Sequence, residues 1–181
     1  KWGERRGGYY TYEDMREIIA YAKVRNIEVI PEIDLPGHSL TMATIHPEIL
    51  CGYTPNLESS YGYDTRSAFC AAKESNYKLL SDILAEVCEL FDTKYIHIGG
   101  DEVETSQWER CPDCQALMTK MGYTSPNQLQ AYFMRRLSDM LAQHGKLPAV
   151  WNEAIDGGKL PASTLVFGWM GVKECRTAAA K

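Results

Sequence analysis

Residues 95–104 read YIHIGGDEVE. An apolar run meets two glycines and then two adjacent acids. Side chains alternate along a strand, so Asp101 and Glu102 can serve one site only if the chain leaves the strand beside them. Gly99 and Gly100 permit the dihedrals that such an exit requires. Before the exit, His97, Gly99 and Asp101 share one face of the predicted strand.

Working outward, helices and strands alternate. Thr11-Tyr-Glu-Asp14 has the form of a capping box, with Asp in place of the usual Glu, ahead of a helix through about Val24. Its apolar positions, Met15, Ile18, Ile19 and Ala22, recur at helical spacing. Residues 27–34, IEVIPEID, read as a strand with Glu28, Ile30, Glu32 and Asp34 on one face. Pro31 predicts an irregularity within it. A long connection with little regular signal covers residues 35–73, and loops of that size in compact domains usually carry function. A helix is predicted over residues 75–91, with Leu79, Leu80, Ile83, Leu84, Val87 and Phe91 on its apolar face.

After YIHIGG comes a second long loop, then Ser125-Pro126, an N-cap with proline at the first helical position. The helix that follows carries Leu129, Phe133, Leu137, Met140 and Leu141, with Gly145 suited to its C-terminal end. Residues 148–153 and 164–169 read as two further short strands. The connection between them is too short for a full crossover helix.

Alternation of strand and helix favours a parallel sheet covered by helices. The faces of the strands choose between barrel and open sheet. Ala149, Trp151 and Glu153 share one face of the third strand, and Leu165, Phe167 and Trp169 share one face of the fourth. Polar and aromatic groups gather at the C-terminal ends, where (β/α)8 barrels build their active sites. A doubly wound sheet calls instead for a glycine-rich phosphate loop, and Gly99-Gly100 lacks a third correctly spaced glycine. The predicted fold class is therefore α/β, a partial (β/α)8 TIM barrel.

Composition sets the outer bounds. The chain has 181 residues, a net charge of −5 and 45% hydrophobic residues. No basic stripe points to nucleic acid, and no apolar run approaches the roughly 18 residues of a membrane span. Neither partner is expected, nor is a signal peptide visible. Of the six cysteines, Cys88 falls in a helical apolar pattern and reads as a buried thiol. Cys51 and Cys70 flank a tyrosine-rich loop at bridging positions. Cys111-Pro-Asp-Cys114 has metal-ligand spacing, but a single C-x-x-C is weak evidence for zinc. Disulfide, free thiol, metal and redox readings stay open for it, and no metal site is assigned.

The acids carry the chemistry. Asp101 ends the inward face of its strand, and Glu102 lies one residue on, able to curl over the barrel mouth. Such a pair can divide into a protonated general acid and an ionised partner; as a bare dipeptide it also suits a helix N-terminus. EIDLPGH repeats the design, with Asp34 last on its face and His38 beyond a Pro-Gly turn. A carboxylate there can fix the tautomer of His38 and hold the ring toward a substrate or toward Glu102. Trp151 and Trp169, at the ends of neighbouring strands, suit the walls of a sugar pocket, since pyranose faces pack on indole. Trp108 is a less certain third.

Together, GGYYTYEDMREIIAYAKVRNIEVIPEIDLPGHS, FCAAKE, YIHIGGDEV, CPDCQALM, VWNEA and FGWMG resemble the catalytic domain of family 20 glycoside hydrolases, the β-N-acetylhexosaminidases. The resemblance runs through nearly the whole chain. It implies hydrolysis of terminal non-reducing N-acetyl-β-hexosamine residues from a glycan, without a cofactor. This family retains configuration without an enzyme nucleophile: the substrate's 2-acetamido oxygen attacks the anomeric carbon and forms an oxazolinium ion. On that pattern Glu102 is the acid and base, and Asp101 orients the acetamido group. Asp34 and His38 support the acid, His97 belongs to the H-x-G-G-D-E motif, and Trp151 and Trp169 enclose the sugar.

The family barrel has eight strands, and this chain matches the third to the sixth. Residues 1–181 are expected to be a fragment of one catalytic domain, with poor or absent activity alone. Open barrel edges make homo-oligomers an expected state. A secreted, periplasmic or lysosome-like compartment is expected for the full-length protein. Two other readings use the same residues. One is a carbohydrate-binding remnant without turnover. The other is a metal-dependent hydrolase with His97, Asp101, Glu102 and Glu104 as ligands.

Overall fold

A computed structural model describes residues 8–52 and 67–180. Four parallel strands form one sheet in sequence order: β1 (Glu32–Leu35), β2 (Tyr95–Gly99), β3 (Leu147–Trp151) and β4 (Leu165–Phe167). Glu32 pairs with His97, His97 with Ala149, and Ala149 with Leu165. Sequential parallel order with helical crossovers is the arrangement of a (β/α)8 barrel, here a partial one.

The helices are α1 (Tyr12–Lys23), α2 (Leu40–Ile45), α3 (Glu74–Leu90), α4 (Ser106–Arg110), α5 (Pro112–Met121), α6 (Pro126–Gln143) and α7 (Val172–Ala179). Both predicted caps form. Thr11 and Asp14 make a reciprocal capping box on α1, and Ser125 and Gln128 make one on α6. Gly145 lies two residues past the end of α6 with φ +69°, the left-handed conformation that glycine adopts at low cost.

The core lies between the outer face of the sheet and α3 and α6. Ile96, Ile98 and Val150 point outward and are buried with Leu80, Leu84, Phe133, Leu137 and Leu141. Their strand neighbours His97, Gly99 and Trp151 therefore face the barrel interior. Sequence parity assigned this division correctly.

Three expectations need correction. The first strand does not span residues 27–34 but starts at Glu32. Pro31 has no N–H to give a ladder; its carbonyl accepts from the His97 N–H at 2.9 Å, and regular pairing begins just after it. The connection after β1 is less irregular than expected, since it contains α2 and a 3-10 turn at Pro47–Ile49. The loop after β2 contains α4 and α5. The ends of α5 were marked in the sequence by Pro112 in its first turn and Gly122 at its C-terminus, where φ is +68°. The predicted Cys51–Cys70 loop lies largely outside the described residues.

Candidate active site

The first segment of the site is the turn after β1, which crosses a cis Leu35–Pro36 bond and brings His38 to φ +49°. The Ser39 hydroxyl closes it with hydrogen bonds to the carbonyls of Gly37 (2.8 Å) and Pro36 (3.2 Å). A methyl group at Gly37 would stand 3.4 Å from the Asp101 carbonyl, so this turn packs directly on the second segment.

That segment is the exit from β2. Gly99 has φ +72°, Gly100 +104° and Glu102 +47°. Strand alternation is lost between Gly99 and Glu102, which answers how adjacent acids share a site. A side chain at Gly99 would collide with Asp34 Oδ1 at 1.9 Å. Gln130 of α6 donates to the Gly100 carbonyl at 2.7 Å and fixes the exit from behind.

The two segments bring four titratable groups together. His38 Nε2 lies 3.3 Å from Asp101 Oδ2, 3.4 Å from Glu102 Oε2 and 3.9 Å from Asp34 Oδ2. Asp34 is held well above the usual carboxylate range, at about 8, chiefly by burial and then by the charge of Asp101. Asp34 Oδ1 and Asp101 Oδ1 are both buried and lack an ordinary donor. A proton kept on Asp34 relieves the repulsion and gives one of these oxygens a hydrogen to share.

Aromatic groups continue the inward face. The His97 ring lies 4.7 Å from that of Trp151 and 5.5 Å from that of Phe167. Its Nδ1 lies 3.3 Å from Glu32 Oε1 and 3.2 Å from the Gly99 nitrogen. Burial holds its pKa down, against the charges of Glu32 and Asp101. Trp151 donates from Nε1 to Glu32 at 2.8 Å. Trp169, just past β4, donates from Nε1 to both carboxylate oxygens of Glu153, at 3.2 and 3.1 Å.

A family model described as the catalytic domain of glycosyl hydrolase family 20 matches residues 1–181. The chain belongs to that family. The beta-hexosaminidase of Vibrio furnissii is 40% identical over 170 residues, which cover 92% of this chain and 28% of that protein. The beta-hexosaminidase of Porphyromonas gingivalis is 37% identical over 172 residues, covering 93% of this chain and 22% of that protein. The solved Flavobacterium johnsoniae chitobiase superimposes with a TM-score of 0.84 at 37% identity, over 92% of this chain and 25% of that one. A GH20 exo beta-N-acetylglucosaminidase from Vibrio harveyi, in complex with N-acetylglucosamine, also gives 0.84, at 34% identity over 98% of this chain and 28% of that one. The family 20 chain thus spans about a quarter of the length of these relatives.

Of the residues singled out in the sequence, Asp34, His38, Asp101 and Glu102 converge in this family 20 segment. The Trp151 ring packs against that of His97, and Trp169 is held beyond the end of β4 by Glu153. Trp108 does not join Trp151 and Trp169. It is fully buried, and its Nε1 donates to the Phe69 carbonyl at 2.9 Å.

The metal set of His97, Asp101, Glu102 and Glu104 is not assembled. Glu104 turns back to accept from the Ser106 N–H (3.0 Å) and hydroxyl (2.6 Å), and His97 faces Glu32. Around these acids, among the described residues, the ligand atoms that do lie within 4.8 Å of one another are those of Asp34, His38 and Asp101. Glu32 and Glu153, which anchor the two indoles, were not identified as site residues. Their parity with Asp34 and Trp151 was the available signal.

Proposed function

We propose that the complete protein removes terminal N-acetyl-β-hexosamine residues from glycans, with retention and with assistance from the substrate. Residues 1–181 are then a segment of one catalytic (β/α)8 domain that further strands complete. The observation that carries this reading is the convergence of Asp101 and Glu102 on His38 at the C-terminal ends of the strands. The names of the relatives, beta-hexosaminidase and exo beta-N-acetylglucosaminidase, support the same substrate class.

In this mechanism the acetamido carbonyl oxygen of the substrate attacks the anomeric carbon as the glycosidic bond breaks. Glu102 gives its proton to the departing oxygen. Asp101 accepts a hydrogen bond from the acetamido N–H and stabilises the positive charge of the oxazolinium ion. Glu102 then takes a proton from water as the water oxygen attacks the anomeric carbon and the ring opens. Neither acid bonds to the sugar, so two neighbours on one loop suffice. A neutral Asp34 keeps negative charge from accumulating beside Asp101, and His38 holds the two reacting acids in register. The faces of Trp151 and Trp169 suit the apolar face of a pyranose.

The test is release of the aryl group from an aryl N-acetyl-β-glucosaminide by the full-length protein, with and without a chelator. Turnover that survives the chelator supports this reading. Binding of the sugar without turnover would instead make the domain a carbohydrate-binding remnant. Loss of turnover with the chelator at an unchanged Tm would favour a metal at Asp34, His38 and Asp101. For the isolated chain, with four strands, turnover is expected to be poor or absent.

A further inference from the structure

Four cysteines from three separate segments meet behind the loops that carry the acids. Cys51 follows the 3-10 turn at Pro47–Ile49, Cys70 precedes α3, and Cys111 and Cys114 open α5. Their sulfurs all lie within 4.8 Å of one another. Cys70 Sγ is 3.6 Å from Cys114 Sγ and 4.0 Å from Cys111 Sγ, and Cys51 Sγ is 3.7 Å from Cys114 Sγ. Cys70, Cys111 and Cys114 are buried, and Cys51 is partly so.

These separations discriminate between chemistries. A disulfide holds its sulfurs at about 2.05 Å, and none forms here among the described residues. Zinc with four thiolates is tetrahedral, with bonds of about 2.3 Å, which sets its sulfurs about 3.8 Å apart. The 3.6–4.0 Å of three of the sulfur pairs brackets that value, and all pairs lie within 4.8 Å. Two residues between Cys111 and Cys114 is also the usual spacing for one half of such a site.

We propose that Cys51, Cys70, Cys111 and Cys114 form a structural binding site for one zinc-like divalent cation. Four thiols bind the cation as thiolates, releasing four protons, and the completed site carries a net charge of −2. Two features favour that charge. Cys111 caps the N-terminus of the ten-residue α5 and Cys114 lies in its first turn, at the positive end of the helix dipole. The Lys73 ammonium bonds to the carbonyl of Leu50, the residue before Cys51 (2.6 Å), and to that of Glu48 (2.9 Å), which brings a positive charge to that segment of the cluster.

The site would staple the acid-bearing loops from behind. The Cys70 N–H bonds to the Ile49 carbonyl and the Phe69 N–H to the Pro36 carbonyl, both within 2.9 Å. Phe69 also accepts from Trp108 of α4. One ion therefore ties the turn carrying His38 to the segment that follows Asp101 and Glu102.

The experiment is elemental analysis of the full-length protein, purified without chelator. One zinc per chain is expected, with loss of that zinc in Cys111→Ser and Cys114→Ser and its retention in Cys175→Ser. Replacement by cobalt should give the intense visible bands of tetrahedral cobalt thiolate, and stripping the metal should lower Tm by about 5 °C or more. The wild-type protein decides the matter even where a serine variant fails to fold. Metal-free protein lighter by four hydrogens, meaning two disulfides, would overturn the proposal, as would metal-free protein in which Cys51, Cys70, Cys111 and Cys114 are all free thiols. Neither the stoichiometry nor the cobalt spectrum depends on glycosidase activity, so the two readings stand or fall separately.

Discussion

His38 Nε2 lies 3.3 Å from Asp101 Oδ2, and the same nitrogen lies 3.4 Å from Glu102 Oε2. One imidazole on the β1 turn thus spans both acids of the β2 exit. Losing the group that sets the geometry of both acids is expected to cost about 1.5–3 kcal/mol, so His38→Ala should lower kcat by about 10- to 100-fold. KM should change little if, as proposed, the ring positions the acids and does not bind the sugar. Steady-state kinetics on the full-length enzyme make the split visible; a raised KM with unchanged kcat would assign His38 to sugar binding instead.

On the proposed mechanism, Glu102→Gln removes the proton donor and keeps the shape. A loss of about 10²- to 10⁴-fold is expected on substrates with poor leaving groups, while sugar affinity persists. Wild-type turnover on such a substrate would remove Glu102 from the role of acid.

Asp101→Asn acts elsewhere in the cycle. An amide cannot offset the charge that grows on the oxazolinium ion, and losing such support costs on the order of 10²- to 10³-fold in kcat. A thiazoline mimic of that ion should bind the variant more weakly. Equal affinity for the mimic in wild type and variant would contradict the assignment.

The strand faces and both capping boxes were legible in the sequence because they obey local rules. Parity alone put His97, Trp151 and Phe167 inside and Ile96, Ile98 and Val150 under the helices. The meeting of His38 with Asp101 was only half legible. EIDLPGH and GGDE each announced a polar strand end, but their distance depends on β1 pairing beside β2 with an irregular register. That irregularity also sets Asp34 Oδ1 where Gly99 must have no side chain. The cysteine cluster was illegible for a stronger reason. Cys51, Cys70 and the Cys111–Cys114 pair lie on three separate segments, and no local spacing rule links them.

Asp34 makes stability depend on pH in a defined direction. Its carboxyl is raised from 3.8 to about 8 in the folded state. Between those values the folded chain holds a proton that the unfolded chain has released. Stability from this group is therefore full below about 4 and is lost as pH rises through about 8. Asp34→Asn stays neutral throughout, so its denaturation midpoint should fall less than that of wild type between pH 5 and 8. Parallel curves for the two proteins would show that Asp34 titrates normally.

The last expectation concerns the sheet's outer strands. Among the described residues, β1 and β4 each pair on one side only, and unpaired strand edges invite association. Beside the β4 edge, Phe167 is 38% exposed and Trp169 49%, on the face that a closed barrel would bury. Covering apolar surface contributes roughly 25 cal/mol per Å², so this face favours a partner of the same kind. The isolated 181-residue chain should associate, with two copies covering each other's inward faces in a symmetric pair. Light scattering at micromolar concentration should give at least twice the chain mass, and Trp169→Glu should shift the equilibrium toward monomer. A folded wild-type monomer with no concentration dependence would mean that the indoles and β4 are covered from within the chain itself.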